Sequence, residues 1–211
     1  MHLLLATGLV RDLLKAGAPV DSMNGMIYKL LPFDAFSHQL FSESSQTPLH
    51  VAVDHNRLDV VELLLSNGAN VNASTKPNLD TPLHLAKSVE MAHVLIDSGA
   101  SLTSQNAWLQ TPLHCACKGG DVQLVERMVS SGARLDVKDQ QGRSALHCCS
   151  AGNRDAIAAF LIEARCDIAL KDSEGVSALA LAELMGFQDV AKVIRAHQQL
   201  ASQQPVFSAE K

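Results

Sequence analysis

The sequence predicts an all-α solenoid, a stack of short helical hairpins joined by turn tips. A four-residue block, Thr47-Pro48-Leu49-His50, recurs as Thr81-Pro82-Leu83-His84 and Thr111-Pro112-Leu113-His114, then degrades to Ser144-Ala145-Leu146-His147 and Ser177-Ala178-Leu179-Ala180. The starts lie 34, 30, 33 and 33 residues apart, a near-constant period of the kind repeat arrays show. Each block leads into apolar residues at helical spacing, and two repeats reach a Gly-Ala pair 21 residues from their Thr, at Gly68-Ala69 and Gly132-Ala133.

The elements of one unit follow in order. Thr47 is a good N-cap, and Pro48 sits at the first helical position, where a missing N–H costs nothing. Leu49, Ala52 and Val53 share one face of a first short helix, and Val60, Val61, Leu64 and Leu65 share one face of a second. Gly68 is placed to stop that second helix as its C′ residue. A polar stretch such as Lys138-Asp139-Gln140-Gln141-Gly142 then turns the chain into the next unit. One unit cannot bury its own apolar face, but a stack can.

These blocks resemble the ankyrin repeat family, whose signature is Thr-Pro-Leu-His at a period of about 33 residues. The resemblance covers residues 2–199 apart from one insertion. It implies an ankyrin repeat domain over 1–199, about five repeats with the first incomplete, with units starting near 1, 47, 81, 111, 144 and 177 and the last a C-terminal cap. An apolar insertion at 24–46 separates the first two units, and residues 200–211 read as a disordered tail.

Composition narrows the function. The chain of 211 residues is 47% hydrophobic, too apolar for a disordered protein, and its length suggests one domain or two. A net charge of −5 without a basic tract argues against nucleic-acid binding. No apolar run reaches the ~20 residues that span a bilayer. Leu3–Val10 is a short apolar run, but no basic n-region precedes it, and Arg11, Asp12 and Lys15 intervene before Ala16-Gly17-Ala18, so a signal peptide is not expected. Five cysteines, an odd number, fit a reducing, cytoplasmic or nuclear setting better than a disulfide framework.

The His and Cys positions are the candidates for chemistry. His50, His84, His114 and His147 share one repeat position, and the resemblance makes them structural. Neighbouring helices ~8–10 Å apart hold equivalent histidines too far apart for zinc, which needs ligands at ~2.0–2.3 Å. Cys115, Cys117, Cys148 and Cys149 lack a C-x₂-C spacing and read as small apolar filler, as does Cys166. Arg165 replaces the usual Gly, so a looser corner is expected there. Gly119-Gly120 is a turn between helices and not a phosphate loop, and Asp97-Ser98-Gly99-Ala100-Ser101 falls on an ordinary helix end. Neither catalysis nor a cofactor is expected. A zinc- or thiol-dependent activity is the alternative from another class, and it requires stoichiometric metal or a reactive thiol.

The departures from the repeat point to a partner. The first unit lacks Thr-Pro-Leu, yet His2 to Gly17 spans the same 15 residues as His84 to Gly99, which suggests a unit shortened like the one at 81 and a chain that is an isoform or fragment of a longer protein. The missing residues at Lys87–Met91 are expected to come out of the turn between helices and to bend the stack. The insertion holds four of the eight aromatics, among them Tyr28, Phe33, Phe36 and Phe41, and is either a partner-binding element or a cover over the incomplete first unit. Lys76, Asn78 and Leu79 form a tip with one extra residue, and Trp108 and Leu109 stand on the next tip where a later unit has Gln141 and Gly142. Trp is enriched at interface hot spots. Asn72 matches a hairpin asparagine that is hydroxylated in some ankyrin repeats, with a turn-shaping role expected here. The resulting expectation is a non-catalytic scaffold or adaptor, monomeric by itself, that binds another protein through tips, concave face and insertion. A regulatory inhibitor that occludes a partner's surface is the other reading.

Overall fold

The computed structural model describes residues 2–21 and 46–203. The expected insertion, with Tyr28, Phe33, Phe36 and Phe41, lies outside the described residues, apart from Gln46. The described chain is helical: α1 (His2–Lys15), α2 (Pro48–Asp54), α3 (Leu58–Ser66), a 3-10 turn (Pro82–Leu85), α4 (Val89–Asp97), α5 (Pro112–Gly119), α6 (Val122–Ser130), α7 (Ala145–Ala151), α8 (Asp155–Glu163), α9 (Ala178–Leu184) and α10 (Gln188–Gln203). The last helix runs to Gln203, past the expected end of the array at 199.

First helices stack on first helices, in the order α2, 3-10 turn, α5, α7, α9, and second helices stack alongside them. One continuous core runs through the stack. Leu49, Leu83, Leu113 and Leu146 come from the repeated blocks, and Val61, Leu64, Leu95, Val125 and Leu161 from the second helices.

The block forms this structure for a local reason that repeats. Thr47, Thr81, Thr111 and Ser144 are extended N-caps, and each closes a capping box with the His three residues on. The Thr81 amide donates to His84 Nδ1 at 3.1 Å, and the far nitrogen of the ring, Nε2, donates to the Gln110 carbonyl at 2.9 Å. His50, His114 and His147 reach the carbonyls of Asp80, Arg143 and Val176 in the same way. One imidazole therefore caps its own helix and ties down the tip that leads into the next unit. Burial lowers the pKa of all four rings, which keeps each neutral, as a ring that accepts at one nitrogen and donates at the other must be.

The second helices end as expected. After α3, Gly68 takes φ 85° and donates to Leu65, while Ala69 donates to Leu64, the paired bonds of a Schellman motif. The corner at Arg165 was expected to be looser and is not. Arg165 adopts φ 66°, and the same two bonds form, from Arg165 to Ile162 and from Cys166 to Leu161. The hydrogen bonds hold the left-handed residue in place without glycine.

Two expectations about shortened units are corrected. Residues 2–15 form one uninterrupted helix, not a hairpin shortened like the unit at 81. No Thr-Pro block or internal cap breaks it, and α1 packs on α3 as a second helix would. In the unit at 81, the loss falls on the first helix and not on the turn alone. The first helix shrinks to the 3-10 turn Pro82–Leu85, and Val89–Met91 already belong to α4, whose Ser88 cap accepts from the Met91 amide at 3.3 Å.

Side chains join successive units. Asn72 donates to the Gly99 carbonyl and accepts from the Ser101 amide, so it bridges repeats as well as shaping its turn. Asp21 and Asp136 accept from the Asn70 and Asp167 amides at the same place in their units. Arg57 grips Asp59 through two nitrogens and also donates to Thr7 of α1. The Arg57 guanidinium holds the Asp59 carboxyl down to about 2.

Candidate functional site

The tips are five-residue loops closed by one side chain each. Asn106 Oδ1 accepts from the Trp108 and Gln110 amides, Asp139 Oδ1 from the Gln141 and Arg143 amides, and Asp172 Oδ1 from the Glu174 and Val176 amides. The backbone closes the same loops, from Asn106 to Gln110, Asp139 to Arg143 and Asp172 to Val176. In the first tip Thr75 Oγ1 accepts from the Asp80 amide, and the loop holds one more residue, as expected from Lys76–Leu79. The sequence reading missed these loop-closing residues, because Thr, Asn and Asp share no single-letter signature.

The tips form a hydrogen-bonded row. Ala107 donates to Asn78 at 2.7 Å, Gln140 to Trp108 at 2.9 Å, and Ser173 to Gln141 at 2.9 Å, all between backbones. Pro77 holds the position of Ala107, Gln140 and Ser173 and has no N–H, so the row begins at the first tip.

The fourth residue of the regular tip has a left-handed backbone. Gly142 and Gly175 take φ 74° and 79° there. Leu109 takes φ 57° in the second tip and Leu79 φ 59° in the first. A side chain in this region costs roughly 1–2 kcal/mol. The two leucines recover only part of what a buried Leu gains, since Leu79 is 45% exposed and Leu109 48%, beside Trp108 at 43%. The structure thus brings Leu79, Trp108 and Leu109 onto adjacent tips, with Lys76 and Asn78 exposed on the first.

The short unit also opens a groove of about 460 Å³ on the first-helix side, lined by Leu85, Lys87, Cys115, Gly119, Asp121 and Leu124. Its rim lysine pairs with Asp54 at 2.7 Å. Four of the cysteines have thiol pKa values raised above the ordinary range. Burial pushes Cys115 up to about 11 and Cys148 and Cys166 up to about 12. Cys117 is raised by a hydrogen bond with Cys149 and by burial. Among the described residues no group of three or more His, Cys, Asp or Glu could hold a metal ion, and no helix is long and apolar enough to cross a membrane.

Stacked helical hairpins with hydrogen-bonded tips define a repeat solenoid that presents an extended surface. The family model described as "Ankyrin repeats (3 copies)" matches residues 8–106, 87–172 and 113–204, and the chain belongs to the ankyrin repeat family. Ankyrin repeats are generally protein–protein interaction modules and typically non-catalytic. The chain is similar to the human "Ankyrin repeat and SOCS box protein 11", 35% identical over 82 residues, which are 37% of this chain and 25% of that protein. It is also similar to "Alpha-latrotoxin-Lt1a" of Latrodectus tredecimguttatus, 34% identical over 110 residues, 49% of this chain and 8% of the toxin. A third relative is the "BRCA1-associated RING domain protein 1" of Caenorhabditis elegans, 37% identical over 67 residues, 30% of this chain and 10% of that protein. The matched stretches span a quarter or less of these relatives.

Proposed function

We propose that the chain is a non-catalytic adaptor that binds another protein through its first tips, with Leu79, Trp108 and Leu109 as the contact centre and Lys76 and Asn78 beside them. The observation that carries this reading is the pair of leucines at left-handed positions that later units fill with glycine. A strained, half-exposed Leu gains the fold less than a buried one would, and the exposed half of each side chain is free to contact another protein. An exposed Trp next to Leu109 fits the composition of an interface centre. The rigid row of tips holds these groups in place before binding, which limits the ordering cost.

Affinity capture with the full chain and with a Trp108→Ala/Leu109→Gly chain of equal helicity tests the reading. The expected result is a set of proteins retained by the first and absent from the second. Identical captured sets would overturn the tip site.

A further inference from the structure

Asn106 differs from the residues that hold its place in the later tips. Asp139 and Asp172 close their loops with one carboxylate oxygen, and Asn106 closes its own with the amide oxygen. Loop closure needs only an acceptor, so it does not account for an amide here. The other half of the side chain does. Asn106 Nδ2 donates to Asp80 Oδ1, on the last residue of the first tip, at 2.9 Å. Asn106 is buried and Asp80 half-buried. An Asp at 106 would set a second carboxylate against Asp80, with no proton to share between them at neutral pH.

The next two tips are joined by the same chemistry in the opposite sense. Gln110 holds the place of Asp80 and donates through Nε2 to Asp139 Oδ2 at 3.3 Å. Where the earlier tip supplies the carboxylate, the later one supplies the amide, and where the earlier tip supplies the amide, the later one supplies the carboxylate. The identity of the residue at 106 is therefore matched to its neighbour at 80.

This pair joins the two tips that carry the apolar residues. Asp80 directly follows Leu79, and Asn106 holds the Trp108 amide at 3.0 Å. We infer that Asn106 and Asp80 are positioning residues of the partner site, an inference that rests on the tip reading above. Their link, together with the backbone bond from Ala107 to Asn78, fixes Leu79 relative to Trp108 and Leu109. The three side chains then present one surface before a partner arrives, and binding spends little on ordering them. A hydrogen bond to a carboxylate is stronger than one between neutral groups, which suits it to this task.

Three variants of the full chain test this. Asp80→Asn keeps an acceptor for Asn106 Nδ2 and is expected to behave as the parent does. Asn106→Asp keeps the loop-closing oxygen, as Asp139 and Asp172 do, but sets carboxylate against carboxylate. The double variant Asp80→Asn/Asn106→Asp reverses the pair into the sense found at Gln110 and Asp139. Amide exchange of Ala107, followed by NMR, reports the link between the tips, and fluorescence anisotropy of Trp108, the single Trp, reports the rigidity of the second tip. In Asn106→Asp the Ala107 amide is expected to exchange about tenfold faster or more, the effect of losing one charge-assisted hydrogen bond, and the Trp108 anisotropy to fall. Both should return to the parent values in the double variant, while the Ser173 amide exchanges alike in all four chains. Loop closure alone cannot produce this pattern, because residue 106 is Asp in both the loosened and the restored chain. Equal Ala107 exchange in all four chains, or loosening that persists in the double variant, would overturn the link.

Binding is read with a synthetic 12-residue peptide selected from a random phage-displayed library on the full chain. The peptide should bind Asn106→Asp about tenfold more weakly, in step with the loosened link, and bind Asp80→Asn and the double variant as it binds the parent. Unchanged binding to Asn106→Asp beside a loosened Ala107 would overturn the positioning role and leave the tip reading standing. Selected peptides that bind a Trp108→Ala/Leu109→Gly chain unchanged would overturn the tip reading, and the positioning role with it, whatever Ala107 shows.

Discussion

Leu109 holds its backbone at φ 57° in the position where Gly142, one unit later, holds φ 74°. The loops around the two residues are closed alike, by Asn106 and by Asp139. The fold therefore asks for a left-handed residue there, and only the later tips answer with the residue type suited to it.

The exchange is not symmetric. A Cβ added at Gly142 would meet the Ser173 backbone nitrogen at 2.7 Å, a contact that a flexible side chain cannot relieve. Gly142→Leu is expected to destabilise the chain by about 2–4 kcal/mol, combining left-handed strain and overpacking. Thermal unfolding followed by circular dichroism should show a fall of several degrees; an unchanged midpoint would mean that the third and fourth tips can separate freely.

His84→Ala removes both ends of one imidazole, leaving the Thr81 cap and the buried Gln110 carbonyl without their partner. The expected loss is about 2–4 kcal/mol, a cap plus an unsatisfied acceptor. Urea unfolding checks it, and a loss below about 0.5 kcal/mol would show that another group replaces the ring.

Stability should depend on pH through the same rings. Their folded pKa values are lowered by burial, so between the folded values and about 6.5 the unfolded chain binds more protons. The histidine contribution is complete above about pH 6.5 and is lost as pH falls below it. Asp59, held down to about 2 by Arg57, adds stability that is present above its ordinary value of 3.8 and lost only in stronger acid. For Asp139, burial pushes the pKa up, but the Arg143 amide and guanidinium outweigh it and the net shift is downward, so it acts in the same acid range. Urea midpoints measured from pH 8 to 4 should be level above pH 7 and decline below about 6.5. A midpoint that rises on acidification contradicts this account.

Cysteine labelling offers a separate check. Cys117, Cys148 and Cys149 are buried and protonated Cys117 and Cys148 are poor nucleophiles, so a thiol reagent at pH 7.5 should modify these sites only through unfolding. Mass spectrometry should find all five thiols labelled in denaturant and these three protected without it. Rapid native labelling of Cys117 would contradict the packing between α5 and α7.

Much of this structure was legible in the sequence because it is dictated locally. Thr, Pro and His occupy fixed cap positions, and the repeat places them by counting. The same counting misjudged residues 2–15, because His2 matches His84 in spacing but lacks the Thr-Pro that begins a separate first helix. Arg165 misled for a related reason: residue type suggested a loose corner, while two backbone bonds fix its left-handed geometry. At the tips, the sequence marked Trp108 and Leu109 as departures. Only the backbone angle shows that Leu109 and Leu79 are strained, and only the hydrogen bonds show how Asn106 and Asp139 close their loops.

The central claim is that Leu79 and Leu109 serve a partner and not the fold. The most direct measurement is the thermal midpoint of the full chain with Leu79→Gly and Leu109→Gly. Relief of roughly 1–2 kcal/mol of strain at each site, against the ~0.5–1 kcal/mol that glycine costs in the unfolded chain, predicts a midpoint raised by about 2–4 °C. A midpoint lowered by several degrees would show that the two leucines hold the stack together, and would contradict the account.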